Sequence, residues 1–215
     1  MLLAIDTSAG TSVALVDSAM GLSIEEAEAG TRGHAEAIGR LIADVLARAN
    51  VRPVEIGGVV AGVGPGPFTG LRVGIAAARA FAFGIGVPVL PVASHDAVAW
   101  GRSDPTLVVT DARRREVAWS VYGAPDAAGL PVRVEGPELA HPEDLETVLA
   151  GYASVQAFTT LDRVDAAEIS AASLGRVAEG LLAASRPLGP PEPLYLRAPD
   201  VTLSAPKTVT PPVTA

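Results

Sequence analysis

The chain contains no cysteine, which excludes disulfide bonds and thiolate metal sites and is consistent with a reducing cytosol. Aromatic residues make up only 4% of the chain although 49% of it is hydrophobic, so we expect a core of Ala, Val, Leu and Ile, as in buried parallel sheets. All but one of the 16 basic residues are arginine, and the net charge of −8 argues against independent binding of nucleic acid. No N-terminal signal and no uncharged apolar run of membrane-spanning length is evident, so we predict a soluble cytoplasmic α/β protein.

The stretch from Gly57 to Gly86 organises the rest of the chain. Its apolar run at residues 59–63 predicts a buried strand, a turn of alternating glycine and proline follows, and Thr69 is the predicted N-cap of a helix that ends near Gly84. A second apolar run comes directly afterwards, which predicts a parallel crossover with its tight turn where α/β folds place ligands. The prolines of the turn lack backbone N–H groups and there is no Walker lysine, which argues against a phosphate loop here.

The predicted helix of this stretch is apolar on opposite faces, and its only charged residues are Arg72 and Arg79. A helix that is apolar all round is covered on both sides, so one face should meet the chain's own sheet and the other a second helix or another protein. We assign the sheet to the face made by Leu71, Ile75, Ala78 and Ala82, and the second contact to the face made by Val73, Ala76, Ala77 and Ala80.

A weak internal duplication is visible, because each half of the chain begins with an apolar strand that ends in aspartate, Asp6 and then Asp111. We predict two related lobes, residues 1–103 and 104–203, and a disordered tail, residues 204–215. Further strands are predicted near residues 12–16, 21–27, 117–122, 132–139 and 155–159, and further helices near residues 34–50, 94–100, 142–150 and 170–184.

Few residues are candidates for chemistry. Asp6 and Asp111 could face one cleft and hold a hydrated metal or phosphates, but turn formation after a strand explains both equally well. None of the three histidines lies three or four residues from another, so no helical metal pair exists. Adjacent side chains point in different directions, so the run Ser94-His95-Asp96 is no catalytic triad, and we expect His95 to be a capping or surface residue.

Five segments, which span about Met1 to Arg197, form a specific pattern. In order, they read Leu3-Ala4-Ile5-Asp6-Thr7-Ser8, Gly33-His34-Ala35-Glu36, Gly64-Pro65-Gly66-Pro67-Phe68-Thr69-Gly70-Leu71-Arg72-Val73-Gly74, Asp111-Ala112-Arg113 and Pro193-Leu194-Tyr195-Leu196-Arg197. Together these segments resemble the TsaB (YeaZ) family of bacteria.

The resemblance implies an actin-like ATPase (ASKHA) fold, with two related lobes that each contain a mixed sheet and flanking helices. It also implies a place in the machinery that makes N6-threonylcarbamoyladenosine at position 37 of tRNA, together with the transferase TsaD and the ATPase TsaE. TsaD-like paralogues hold a metal through an HxxxH pair, whereas this chain has His95 followed by Ala99, so one ligand of the pair is missing.

From these observations we predict a non-catalytic subunit without a metal or cofactor of its own that docks TsaD, forms a homodimer when alone, contacts tRNA only indirectly and binds no membrane. A nucleotide at the partner interface stays open, as do an ATP-using enzyme of the same superfamily and a purely self-associating structural protein. The predicted partner interface is Ile38, Leu41, Val45, Val73, Ala76, Ala77 and Ala80, on the helices at residues 34–50 and 69–83. The predicted vestigial nucleotide cleft is Asp6, Thr7, Ser8, Gly64, Gly66 and Asp111.

Overall fold

A computed structural model describes residues 1–30 and 33–197, and it contains two mixed β-sheets with flanking helices. The strands of the first sheet are β1 (Leu2–Asp6), β2 (Thr11–Asp17), β3 (Leu22–Glu28), β4 (Gly58–Gly62) and β5 (Val89–Val92). Those of the second are β6 (Thr106–Asp111), β7 (Val117–Tyr122), β8 (Arg133–Ala140) and β9 (Asp162–Asp165). The spatial order is β3-β2-β1-β4-β5 in the first sheet and β8-β7-β6-β9 in the second.

The two sheets repeat one topology. In the first, β1 pairs antiparallel with β2, β2 antiparallel with β3, and β1 parallel with β4. In the second, β6, β7, β8 and β9 repeat these relations in the same order. The predicted internal duplication is therefore confirmed at the level of strand pairing.

The helices cover both faces of the first sheet. They are α1 (His34–Ala49), α2 (Phe68–Ile85), α3 (Ser94–Ala99), α4 (Leu145–Ala150), α5 (Ala153–Gln156) and α6 (Ala171–Ala183), with a 3-10 turn at Pro53–Glu55. One face of the sheet packs against α1 and α2, and Leu3, Ile5 and Val13 lie in the core that these layers share. The opposite face packs against α3 and α6, with Leu2, Ala4 and Val16 in the shared core.

Helix α6 comes from the second half of the chain but packs on the first sheet. A Cβ atom on Gly175 would lie 2.5 Å from a methyl carbon of Val16, so the helix backbone lies directly against β2. Glu25 of β3 accepts a hydrogen bond from the backbone N–H of Ala171 at 2.6 Å, which satisfies a free donor at the start of α6. The lobe boundary at residue 103 stays a prediction, and the structure adds that α6 belongs by its contacts to the first sheet.

Two local predictions are wrong. Residues 155–159 do not form a strand, because α5 occupies the start of that stretch and the parallel strand of the second sheet is β9. The N-cap of α2 is Pro67 and not Thr69, since the proline backbone is extended and the helix begins at Phe68. The tail at residues 204–215 lies outside the described residues.

Candidate functional site

The Gly-Pro turn after β4 packs directly on the loop that follows β1. A Cβ atom on Gly66 would lie 2.7 Å from the Cβ atom of Ser8, so only glycine permits this approach. Gly64 has a φ of 99°, in the left-handed region that favours glycine. The turn therefore closes over the β1–β2 loop, and its shape depends on glycine at both positions.

The carboxylate of Asp6 is enclosed by its own chain. It accepts hydrogen bonds from the backbone N–H and the hydroxyl of Ser8, at 2.7 and 2.5 Å, and from the hydroxyl of Ser94 at 2.5 Å. A Cβ atom on Gly62 would lie 1.9 Å from Oδ2 of Asp6, so β4 also lies against the carboxylate. Burial raises the pKa of Asp6, while the hydrogen bonds from Ser8 and Ser94 act in the opposite direction.

Five of the six residues of the predicted nucleotide cleft thus lie together, but they fill the space between β1 and the Gly-Pro turn. Asp111 is exposed at the end of β6, where its carboxylate accepts a hydrogen bond from the backbone N–H of Arg113 at 3.1 Å. Asp6 is only 1% exposed, because its carboxylate is enclosed by local packing. A cleft shared by the two aspartates stays a prediction.

Thr7 and His34 extend this packed cluster toward the helices, and their roles could not be seen in the sequence. The Thr7 hydroxyl donates to the carbonyl of Gly70 at 2.8 Å, and a Cβ atom on Gly74 would lie 2.1 Å from that hydroxyl oxygen. Nδ1 of His34 lies 2.7 Å from the hydroxyl of Thr11. Both contacts hold the starts of α1 and α2 against the β1–β2 region, and the only signal for them was the run of glycines in α2.

The expectation that His95 is a capping or surface residue is wrong. Its side chain is fully buried, with Nδ1 2.8 Å from the Ser120 hydroxyl and Nε2 2.9 Å from the Thr110 hydroxyl. Burial lowers the pKa of His95 to about 3, so the imidazole is neutral at physiological pH. Within residues 1–30 and 33–197, no group of three or more His, Asp or Glu side chains could hold a metal ion.

A cavity of about 160 Å³ lies between the Gly-Pro turn, the turn after β6 and the C-terminal segment, which we define as residues 188–197. This segment crosses α2, where Arg79 donates to the carbonyl of Pro191 and Nε of Arg72 donates to the hydroxyl of Tyr195, both at 2.8 Å. The segment ends in an ion pair between Arg197 and Glu116 of the second half. It therefore connects α2 with the region next to β7.

A second concave surface lies between α1 and α2 on the side away from the sheet. This α1/α2 groove has a volume of about 490 Å³. It is lined by Ala35, Ile38, Gly39, Ile42, Val73, Ala76, Ala77 and Phe81. Because its lining is apolar and none of the described residues covers it, it is the best candidate on this chain for a protein contact.

Burial confirms the predicted inner face of α2. The set from Leu71 to Ala82 is buried, whereas Ala76 and Ala80 are exposed and Val73 and Ala77 are half-buried. The contact of this outer face with a partner stays a prediction. Nearby, Phe83 is 90% exposed.

The assignment of α1 residues to the partner interface needs correction. Leu41 and Val45 are buried in the core against the first sheet, so their assignment to the interface is wrong. Ile38 is nearly as buried, and its side chain forms part of the groove floor. The α1 positions that face outward along the groove are Ala35 and Gly39.

By length and composition alone, α2 is apolar enough to cross a membrane, and it is the one such helix found among the described residues. A helix in the core of a soluble protein can be equally long and apolar, and one face of α2 is buried on the first sheet. The core and the groove together account for its apolar composition.

Comparison with known proteins gives a consistent set of relatives. A sequence model of the family described as TsaD, tRNA N6-adenosine threonylcarbamoyltransferase, matches residues 25–129. An uncharacterized protein of Mycobacterium tuberculosis is 39% identical over 173 residues, 79% of this chain and 77% of that protein. The tRNA threonylcarbamoyladenosine biosynthesis protein TsaB of Escherichia coli is 34% identical over 127 residues, 56% of this chain and 54% of that protein. The solved structure of YeaZ from Pseudomonas aeruginosa matches with a TM-score of 0.72 and 25% identity, covering 91% of this chain and 99% of that one.

Proposed function

Because this chain belongs to the TsaB (YeaZ) family, we propose that it is a non-catalytic subunit of the machinery for threonylcarbamoyladenosine formation in tRNA, and that it binds and activates a TsaD-type transferase. Its fold is that of the actin-like ATPases, as the sequence predicted. The observation that carries the proposal is the α1/α2 groove, an apolar concave surface that the described residues leave uncovered.

The lining of the groove suits a helix from a partner. Ala35 and Gly39 are exposed on α1, and Ala76 and Ala77 lie opposite them on α2. Small side chains let another helix approach closely, and the half-buried Val73 and Phe81 add apolar area that a partner can remove from water. The family model of the transferase itself matches residues 25–129, which include α1 and α2, so we expect a TsaD-type partner to have helices of the same kind.

The non-catalytic role is supported by the condition of the polar residues. The Asp6 carboxylate is not free, since it accepts hydrogen bonds from Ser8 and Ser94 and lies against Gly62. His95 uses both ring nitrogens in buried contacts with hydroxyl groups. A catalytic group must reach the substrate, and neither side chain does so in this arrangement. We therefore propose that the chain acts without a cofactor of its own, and titration with ATP and magnesium checks this directly.

Self-association through the same groove is a second function that the exposed apolar surface favours. In the absence of a partner, two copies could cover each other's groove and remove the apolar surface from water. Under our proposal this homodimer is the resting form and gives way to the heterodimer. Under the alternative, a homodimer is the final assembly and does not exchange.

The decisive experiment mixes the pure chain with a TsaD-type transferase and follows complex formation by size-exclusion chromatography. It compares two variants in which an alanine is replaced by glutamate. Ala77→Glu places a carboxylate in the groove, where docking would bury it without a partner at a cost of about 3 kcal/mol or more, roughly a hundredfold loss of affinity. Ala47→Glu is the matched control, because Ala47 is exposed on α1 outside the groove lining.

We expect heterodimer formation with the wild-type chain and with Ala47→Glu, and its loss with Ala77→Glu at a nearly unchanged melting temperature. Threonylcarbamoyladenosine in cellular tRNA should fall only in cells that carry Ala77→Glu. Normal binding by Ala77→Glu would show that the contact lies elsewhere on the chain. A homodimer that does not exchange with the transferase would favour the structural alternative.

A further inference from the structure

Three consecutive residues at the start of α3 connect the two sheets. Ser94 donates from its hydroxyl to Asp6, at the end of β1 in the first sheet, at 2.5 Å. The imidazole of His95 reaches the second sheet, as described above, through hydroxyl groups on β6 and β7. Asp96 accepts a hydrogen bond from the Tyr122 hydroxyl, at the end of β7, at 2.6 Å. A run of three residues thus makes polar contacts with both sheets.

The contacts of Ser94 and His95 are buried, whereas Asp96 is half-buried. Ser94, His95 and Ser120 are 0% exposed, and Tyr122 is 1% exposed. Water cannot replace a lost partner of the buried side chains, so a broken hydrogen bond at Ser94 or His95 leaves a buried polar group unsatisfied. Sliding one sheet over the other is therefore much more costly than it would be across apolar side chains alone, since hydrogen bonds are directional.

The imidazole is suited to this position because both of its nitrogens are used. A neutral imidazole has one donor and one acceptor on opposite sides of a rigid ring, and a hydroxyl group can take either complementary role. The low pKa described above keeps the ring neutral, and the Arg133 charge acts in the same direction as burial. The ring therefore sets the spacing between α3 and two neighbouring strands.

We infer that Ser94, His95 and Asp96 form a polar pin that holds the two sheets in one fixed relative position, with His95 as the positioning residue at its centre. The cavity between the Gly-Pro turn and the turn after β6 is lined from both halves of the chain, so its shape is fixed by the same contacts. The two halves do not open and close around this cavity. This inference does not depend on docking through the α1/α2 groove.

The test measures the distance between the two sheets in the full-length chain. The natural sequence has no cysteine, so Ser23→Cys on β3 and Glu146→Cys on α4, both exposed positions, can carry one spin label each. Electron double resonance should give a single narrow distance distribution in this labelled parent. His95→Leu replaces the imidazole with an apolar side chain of similar size and removes both hydrogen bonds, and we expect the single narrow distribution to be lost.

Control variants separate the pin from a general loss of stability. Val45→Ala removes core packing between α1 and the first sheet, in a core cluster that contains none of the residues of the pin, and should leave the distribution narrow. His95→Gln supplies one donor and one acceptor on a single amide group, so its distribution should be narrower than that of His95→Leu and broader than that of the parent. Tyr122→Phe, which removes a single hydroxyl and keeps the ring buried, serves as the second test variant if His95→Leu does not fold.

A narrow distribution in His95→Leu, or in Tyr122→Phe if His95→Leu does not fold, would overturn the proposal. It would also be overturned if Val45→Ala broadened the distribution as much as the test variant does, because the effect would then follow stability and not the pin.

Discussion

At the scale of single residues, the buried titratable groups of this protein hold the structure together. Asp6 and His95 are both buried and both titratable. Every hydrogen bond that the structure describes on their side chains joins them to a serine or threonine of the same chain. The two residues therefore link loops and strands.

The low pKa of His95 predicts a pH dependence of stability. Its folded pKa is about 3, against an ordinary value of 6.5, so the unfolded chain binds the proton more readily between these values. The stability contributed by the neutral ring is fully present above about pH 6.5 and is lost as the pH falls toward 3, by up to about 1.4 kcal/mol per pH unit. Denaturant unfolding at a series of pH values between 6.5 and 4.5 measures this slope.

The variant His95→Gln isolates the contribution of this one ring. Its stability should be lower than that of the wild-type chain at pH 7 and should fall less steeply with acid. Other groups also contribute to the slope: burial lowers the pKa of His34, which acts in the same direction as His95, and raises the pKa of Asp6 and Asp96, which acts in the opposite direction. The difference between the two slopes, and not either slope alone, therefore measures His95. Parallel slopes in the two proteins would contradict the buried neutral state of His95.

At the scale of elements, α2 makes contacts of three different kinds. One face is buried on the first sheet, a second lines the α1/α2 groove, and Arg72 and Arg79 hold the C-terminal segment on a third. Phe68 and Tyr195 stack with a centroid distance of 4.9 Å, with the Arg72 guanidinium 3.8 Å from the centre of the Phe68 ring. A substitution that shifts α2 on any one of these faces should therefore disturb the contacts on the other two.

Two glycines of α2 give a matched prediction. Gly74→Ala would place a methyl group 2.1 Å from the Thr7 hydroxyl oxygen, and such overpacking should cost about 2 kcal/mol or more. Gly84→Ala meets nothing within 4 Å and should stabilise the helix by about 0.5 kcal/mol. Thermal unfolding of both variants distinguishes close approach from helix propensity, and equal effects of the two substitutions would contradict the packing described at Thr7.

How far the sequence predicts such contacts depends on their range. The faces of α2 followed from helical periodicity, because every residue of the pattern lies on one continuous element. The enclosure of Asp6 could not be predicted, since Gly62 and Ser94 reach it from distant parts of the chain. The strand predicted at residues 155–159 failed for a related reason. A short apolar run suits a buried helix turn as well as a strand, and the strand that does form, β9, is mostly polar and exposed.

At the scale of the whole molecule, the uncovered groove predicts self-association. The isolated chain should form homodimers, because removing the apolar lining from water yields about 25 cal/mol per Å². Sedimentation velocity over a range of concentrations should show a dimer for the wild-type chain and for Ala47→Glu, and a monomer for Ala77→Glu. A wild-type chain that stays monomeric at high concentration would mean that another part of the chain covers the groove.

The return of α6 to the first sheet also bears on how the protein is made. On the ribosome, the strands of the first sheet emerge early, but the helix that covers Leu2, Ala4 and Val16 is among the last described elements to be synthesised. Contacts between such distant parts of a chain form slowly, and exposed apolar strands are prone to aggregate while they wait. The nascent amino-terminal half should therefore depend on chaperones until α6 leaves the exit tunnel, and a gene cut at the middle of the chain should yield an insoluble first half.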